Sequence, residues 1–274
     1  MIGCILTAVA CAPQKEDVAG TEVVEMERLE TEATEEVESA SGETVGEVVT
    51  ESVVIESEVP TQEANTAFTN NEYLTEEKES SWVADLNVAE TANQIIVVAA
   101  DGSNATVSMH NKEEDGTWTE MLSTAGKIGR NGIGKTKEGD GKTPTGVYHF
   151  MFGFGNMPDP GCGLGYTQVD DSYYWVDDSD SAYYNQFVTT NEVTKDWDSA
   201  EYIAGVKSSY NYVLALDYNV DCVQGEGSAI FMHCTPTSGA GCIAVPEEMM
   251  VEIMKNVQDG CLVVIDSVEG VKGY

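Results

Sequence analysis

The stretch Gly227-Ser-Ala-Ile-Phe-Met-His-Cys-Thr-Pro-Thr-Ser-Gly-Ala-Gly-Cys-Ile-Ala-Val-Pro246 changes character three times. Ser228 to His233 is an apolar run of strand length that ends on an imidazole. The next residues are small and include Pro236, Gly239 and Gly241, which break regular structure and bring the chain back sharply. Ile243, Ala244 and Val245 are apolar again, and Pro246 is suited to open a helix. A cysteine thiol needs a base or a positive field to become a thiolate near neutral pH. His233 lies close enough across this loop to act on Cys242. Glycine before the sulfur lets a substrate backbone approach, and leaves the N–H groups of Gly241 and Cys242 to bind an oxyanion. The candidate catalytic set is Cys242 as nucleophile, His233 as base and Gly241 as oxyanion donor.

Working outward, the chain reads as β-rich mixed α/β with few helices. Gln94-Ile-Ile-Val-Val-Ala99 reads as a buried strand, and Ala105-Thr-Val-Ser-Met109 alternates as a half-buried one. Gly116 to Met121 fits its hairpin partner. Thr145 to Phe152, Tyr210 to Tyr218 and Ser228 to His233 are further strands, and Cys261-Leu-Val-Val-Ile265 closes the series. That makes six or seven strands. One helix is clear, over 246–257: acids stand in its first turn, Lys255 in its last, and Met250, Ile253, Met254 and Val257 form its apolar stripe. His110 and His149 fall within strands and read as structural. Cys234 follows the base directly and, by alternation, points to the opposite face. Trp175, Tyr183 and Tyr184 suit either a groove or the core.

The N-terminal part differs in kind. The first ninety residues carry the larger share of a net charge of −35. Such charge repels nucleic acid phosphates and anionic lipid headgroups, so neither is an expected partner. Residues 1–11 are apolar, too short to span a bilayer, and end in small residues before Cys11. Ala8-Val9-Ala10-Cys11 resembles a bacterial lipobox, whose cysteine is lipidated. The expectation is an exported protein at the cell surface, tied to the membrane only through Cys11 or secreted. Residues 12–82 are rich in Glu, Thr, Val, Ser and Ala, and read as a disordered acidic linker. A weaker alternative is an amphipathic helix over 20–39. The folded domain is expected over 83–274. Its five cysteines are an odd number, so at least one thiol has no partner within the chain. Cys222 with either Cys162 or Cys261 is an open pairing.

Gly129-Arg-Asn-Gly-Ile-Gly-Lys-Thr136 fits the nucleotide-binding pattern G-x-x-x-x-G-K-[ST] letter for letter. That loop works only when a helix follows it, and here Gly139, Gly141 and Pro144 forbid one. Lys127, Arg130, Lys135, Lys137 and Lys142 instead gather positive charge on a glycine-rich loop. Such a patch either attracts carboxylates of an anionic substrate or balances Glu138 and Asp140.

On its Gly-Cys-Ile-Ala ending, the active-site stretch resembles the bacterial L,D-transpeptidase catalytic domain family. Gly139-Asp-Gly-Lys-Thr-Pro-Thr-Gly-Val-Tyr148, Tyr174-Trp-Val-Asp-Asp178 with Tyr184-Asn185, and Asp217-Tyr218-Asn219 leading to Phe231 are similar to its other segments, over about residues 92–265. The resemblance implies a β-sandwich with a cysteine at the end of a groove. It implies a thioester acyl-enzyme on peptidoglycan stem tetrapeptides, 3→3 cross-links, no metal or organic cofactor, and a monomer. The alternatives are an L,D-carboxypeptidase, releasing the same intermediate to water, and a wall-binding lipoprotein without catalysis. Arg130, Lys135, Ser238 and Tyr218 are candidate substrate contacts. Gly239 and Ala240 stand where many members carry a hydroxyl and a second histidine, so orientation of His233 falls to Thr237, Ser238 or a backbone carbonyl.

Overall fold

A computed structural model describes residues 80–235 and 237–274. The Cys11 anchor, the export segment, the possible helix over 20–39 and nearly all of the expected linker lie outside the described residues. Ser80 and Ser81, at the end of that linker, already hydrogen bond to the domain: Ser80 Oγ accepts from the Trp118 N–H and the Ser81 N–H donates to the Trp118 carbonyl.

The described chain forms, in order, β1 (Gln94–Asp101), β2 (Asn104–Lys112), β3 (Trp118–Lys127), β4 (Gly146–Gly155), β5 (Tyr166–Gln168), β6 (Tyr173–Val176), β7 (Phe187–Thr189), β8 (Ala200–Tyr202), β9 (Val213–Leu216), β10 (Phe231–His233), β11 (Ile243–Ala244), α1 (Glu247–Asn256) and β12 (Leu262–Ser267). The fold is mostly β with a single α-helix among the described residues, as the sequence pattern requires. Strands outnumber the six or seven read from the sequence because β5 to β8 and β11 are short. They have two to four residues each, too few for a periodic signal.

Nine strands form one sheet in the order β12-β1-β2-β3-β11-β10-β9-β4-β5, and β12 also pairs with β4. That second pairing joins one end of the sheet to the strand next to its other end, around a common core. Its interior holds Ile96 and Val98 of β1, Leu214 of β9, Met232 of β10, and Met250, Ile253 and Met254 of α1. The other face of β1 is covered too: Ile95 and Val97 pack with Val83, Leu86 and Trp118. Cover on both faces is why β1 is an unbroken apolar run. A separate sheet, β7-β6-β8, carries Trp175 to the outer face of β9 and β10, where it meets Phe154, Phe231 and Tyr210. Trp175 and Phe231 meet edge to face with centroids 4.8 Å apart.

Candidate active site

The site is built at the junction of β10 and β11. These strands run parallel, with Met232 opposite Ile243 and His233 opposite Ala244. Alternation then sends Met232, Ile243 and Cys234 to the main core, and Phe231, His233 and Cys242 to the other face. Short-range pairing thus brings thiol and imidazole to one wall. Both line a cleft of about 200 Å³. Val245 N–H donates to the His233 carbonyl at 3.0 Å and pins the return of the chain.

The nucleotide-like loop buttresses this return. Among its contacts, the Arg130 N–H donates to the Gly239 carbonyl at 2.9 Å, and Thr143 Oγ1 donates to the Gly241 carbonyl at 2.6 Å. A Cβ at Gly241 would stand 2.7 Å from the Lys142 carbonyl oxygen, so only glycine admits this approach. The loop itself is organised on Asp140, whose carboxylate accepts from the N–H groups of Thr136, Lys137 and Lys142 and from Lys135 Nζ at 3.2 Å. Those donors hold its carboxyl below the ordinary value against the opposing effect of burial.

His233 is buried, and its Nδ1 donates to the Cys234 carbonyl at 2.5 Å. A carbonyl can only accept, so the proton sits on Nδ1 and the Nε2 lone pair is available as a base. The Tyr210 ring stands edge-on to the imidazole at 5.5 Å. Burial lowers the His233 pKa, and the carbonyl bond partly offsets this. Of the three groups the sequence left open to orient His233, the bond observed is to a backbone carbonyl. Ser238 is exposed, and its Oγ donates to the Ser103 carbonyl at 3.3 Å.

Cys242 is unbridged, as are the other four cysteines among the described residues, so neither open pairing of Cys222 is formed. Its Sγ donates to the Ala229 carbonyl at 3.2 Å. Burial pushes the thiol up to about 12, and the negative charge of Glu201 adds to this. A bond from the Phe231 backbone and the charge of Lys135 pull the other way. Burial thus favours the uncharged form of both groups.

The remaining cleft wall is acidic: Glu138, Asp177 and Glu201 line it. Glu138 accepts from Tyr184 and Ser228, each at 2.7 Å, and Glu201 accepts from the Tyr210 hydroxyl at 3.2 Å. Asp177 Oδ1 is buried without a hydrogen-bond partner. Lys135, the cation lining the cleft, is almost fully buried and paired with Asp140. Of the four candidate substrate contacts, only Lys135 reaches the cleft. Arg130 is exposed outside it, and Ser238 faces Ser103. Tyr218 donates to the Glu226 carbonyl at 2.7 Å and borders a second cavity with Phe187, Val220 and Cys222. The acidic wall was not legible in the sequence, because its members come from a loop, the end of β6 and β8, with no shared spacing.

Several comparisons bear on this arrangement. The family described as the L,D-transpeptidase catalytic domain (YkuD) matches residues 92–265. No curated protein matches. Among solved structures, the chain is similar to the Ldtfm–avibactam carbamoyl enzyme, with 15% identity and TM-score 0.31, over 64% of this chain and 49% of that one. It is also similar to a cysteine-to-serine mutant of an Enterococcus faecium L,D-transpeptidase, with 15% identity and TM-score 0.30, over 64% of this chain and 50% of that one. The chain thus spans about half the length of the solved structures it matches. Because the family match covers more than half of the chain and contains both His233 and Cys242, this chain belongs to the L,D-transpeptidase catalytic domain family.

Proposed function

We propose that the protein is an L,D-transpeptidase that joins peptidoglycan stem peptides through a thioester on Cys242. The observation that carries this reading is a thiol and an imidazole on one cleft wall, with Nδ1 of the imidazole tied to a carbonyl. The sulfur attacks the carbonyl carbon of the third stem residue, forming an S–C bond. His233 takes the thiol proton and passes it to the departing amine as the C–N bond to the terminal D-alanine breaks. Backbone N–H groups of Gly241 and Cys242 hold the transient oxyanion. A side-chain amine from a neighbouring stem then attacks the thioester, and the imidazole returns a proton to sulfur. The product is a 3→3 cross-link.

The acidic wall supports an amine-bearing acceptor. Three carboxylates lining one cleft favour a cationic group over a neutral or anionic one. The same thioester passed to water would make the enzyme an L,D-carboxypeptidase. Incubation with disaccharide tetrapeptide, read by mass spectrometry, separates the two: dimers are expected, and tripeptide without dimer overturns cross-linking. A carbapenem-type β-lactam should acylate Cys242, and absence of labelling would reduce the domain to a wall-binding module. For the whole chain we propose an exported protein, lipidated at Cys11, with residues 12–82 as a tether carrying the catalytic domain into the wall. Mass measurement of the N-terminal peptide from the native host tests this, with an unmodified Cys11 excluding the anchor.

A further inference from the structure

The sulfur of Cys242 is held by a backbone segment, Ala229 to Phe231, rather than by the imidazole. Its thiol donates to the Ala229 carbonyl at 3.2 Å. Ala229 has φ +52°, in the left-handed region. An alanine there carries a steric penalty that glycine does not, so something must hold it. That something is visible. The Ala229 N–H donates to Asn185 Oδ1 at 3.1 Å, and the same oxygen accepts from Trp175 Nε1 at 2.9 Å. Asn185 Nδ2 donates to the carbonyls of Tyr218 at 3.0 Å and Asn219 at 2.8 Å. The amide is therefore used on both sides and buried, and Asn185 itself sits at φ +55°, which asparagine tolerates. Ala229 and Asn185 both lie outside the strands, and Asn185 sits in the connection between β6 and β7, where its own N–H donates to the Val176 carbonyl at 2.8 Å.

We propose that Asn185 is a positioning residue for Cys242: by holding Ala229 in a left-handed conformation it aims the Ala229 carbonyl at Sγ and fixes the resting orientation of the thiol. The inference rests on the reading of Cys242 as nucleophile. A carbonyl accepts from S–H and offers nothing to a thiolate, so this contact favours the protonated sulfur. The protonated sulfur is the form that resists oxidation outside the cell. Breaking the contact should have two opposite consequences. The thiol ionises more readily, and it loses the orientation needed for attack within the cleft.

The test uses the full chain with Asn185→Gly, which keeps the backbone conformation at 185 and deletes the amide, and with Ala229→Val, which cannot hold φ +52°. Two rates are followed: alkylation of Cys242 by iodoacetamide against pH, and acylation by a carbapenem. Both variants should lower the alkylation midpoint by about one pH unit and slow acylation about tenfold, the scale of one hydrogen bond to a reacting group. Adding Ala229→Gly to Asn185→Gly should recover part of the acylation rate, because glycine adopts the left-handed conformation unaided. Merely structural damage slows both reactions and leaves the midpoint in place, and that result from either variant overturns the proposal. Absence of carbapenem labelling in the unmodified protein instead overturns the transpeptidase reading itself.

Discussion

Two regions of the large sheet bury a histidine, and only one of the two shares a cleft with a thiol. On β2, His110 is fully buried, with Nδ1 against Ser81 Oγ and Nε2 against Ser108 Oγ, both at 2.8 Å. At the end of β10, His233 is nearly as buried, but only Nδ1 is bonded, and the ring borders a cleft that also holds a thiol. Burial depresses both, His110 to about 4. Burial and a shifted pKa therefore do not distinguish a base from a structural histidine. The difference lies in whether the second ring nitrogen is spoken for, and whether a reactive group shares its cavity.

The sharpest break of this comparison is at the thiol. Cys242→Ala should abolish carbapenem labelling, as measured by intact mass, and residual labelling at another cysteine would move the site. Next, His233→Ala should slow acylation by about 10² to 10⁴-fold, the range of a general base. His110→Ala should leave acylation within a few-fold of the parent, yet destabilise the fold by about 1–3 kcal/mol in urea titration, because the buried Ser108 hydroxyl and the half-buried Ser81 hydroxyl lose a partner. Equal rate losses in the two variants would erase the distinction between base and structural histidine.

The pH dependence of stability sharpens the same contrast. The unfolded chain binds a proton at His110 near pH 6.5, whereas the folded chain resists until about 4. Between those values the unfolded state holds more protons, so stability rises with pH and falls as pH drops through that window. The contribution is at most about 3 kcal/mol, and His110→Ala should flatten the slope of melting temperature against pH between 4 and 6.5. A smaller effect is expected at Glu201. Glu201→Gln retains an acceptor for Tyr210 and removes a charge that opposes the thiolate, so alkylation of Cys242 at about pH 8 should quicken about three- to tenfold. Smallest is Arg130→Glu. Its side chain is exposed and outside the cleft, so acylation should change about twofold or less, and a larger loss at low salt would restore it as a substrate contact.

The long strands, the helix and the Cys242–His233 pair were legible because each depends on local order: apolar runs, alternation, capping acids and a short loop between two reactive side chains. Cys234 facing the core followed from alternation alone, and the structure places it there. Lys135 shows the limit of such reading. A lysine on a glycine-rich loop looks available, but Asp140, five residues on, folds back to bury it in an ion pair. The convergence of the acidic wall, the role of Asn185 as a hub and the choice of the Cys234 carbonyl among the three candidates were silent in the sequence for a common reason. Glu138, Asp177 and Glu201 are far apart along the chain, and a backbone carbonyl has no sequence signature.

The sequence by itself determined the candidate reagents and the architecture's type: a cysteine and a histidine joined by a small-residue loop, on a β-rich domain with one clear helix. Tertiary structure decided how those reagents are set. It placed thiol and imidazole on one wall through the parallel pairing of β10 with β11, and fixed the imidazole tautomer through a carbonyl. It also aimed the thiol through an alanine held in a left-handed turn. The physical reason is range. Periodicity and turn chemistry act over a few residues, whereas hydrogen-bond partners, burial and charge are set by whatever distant segment the fold brings near.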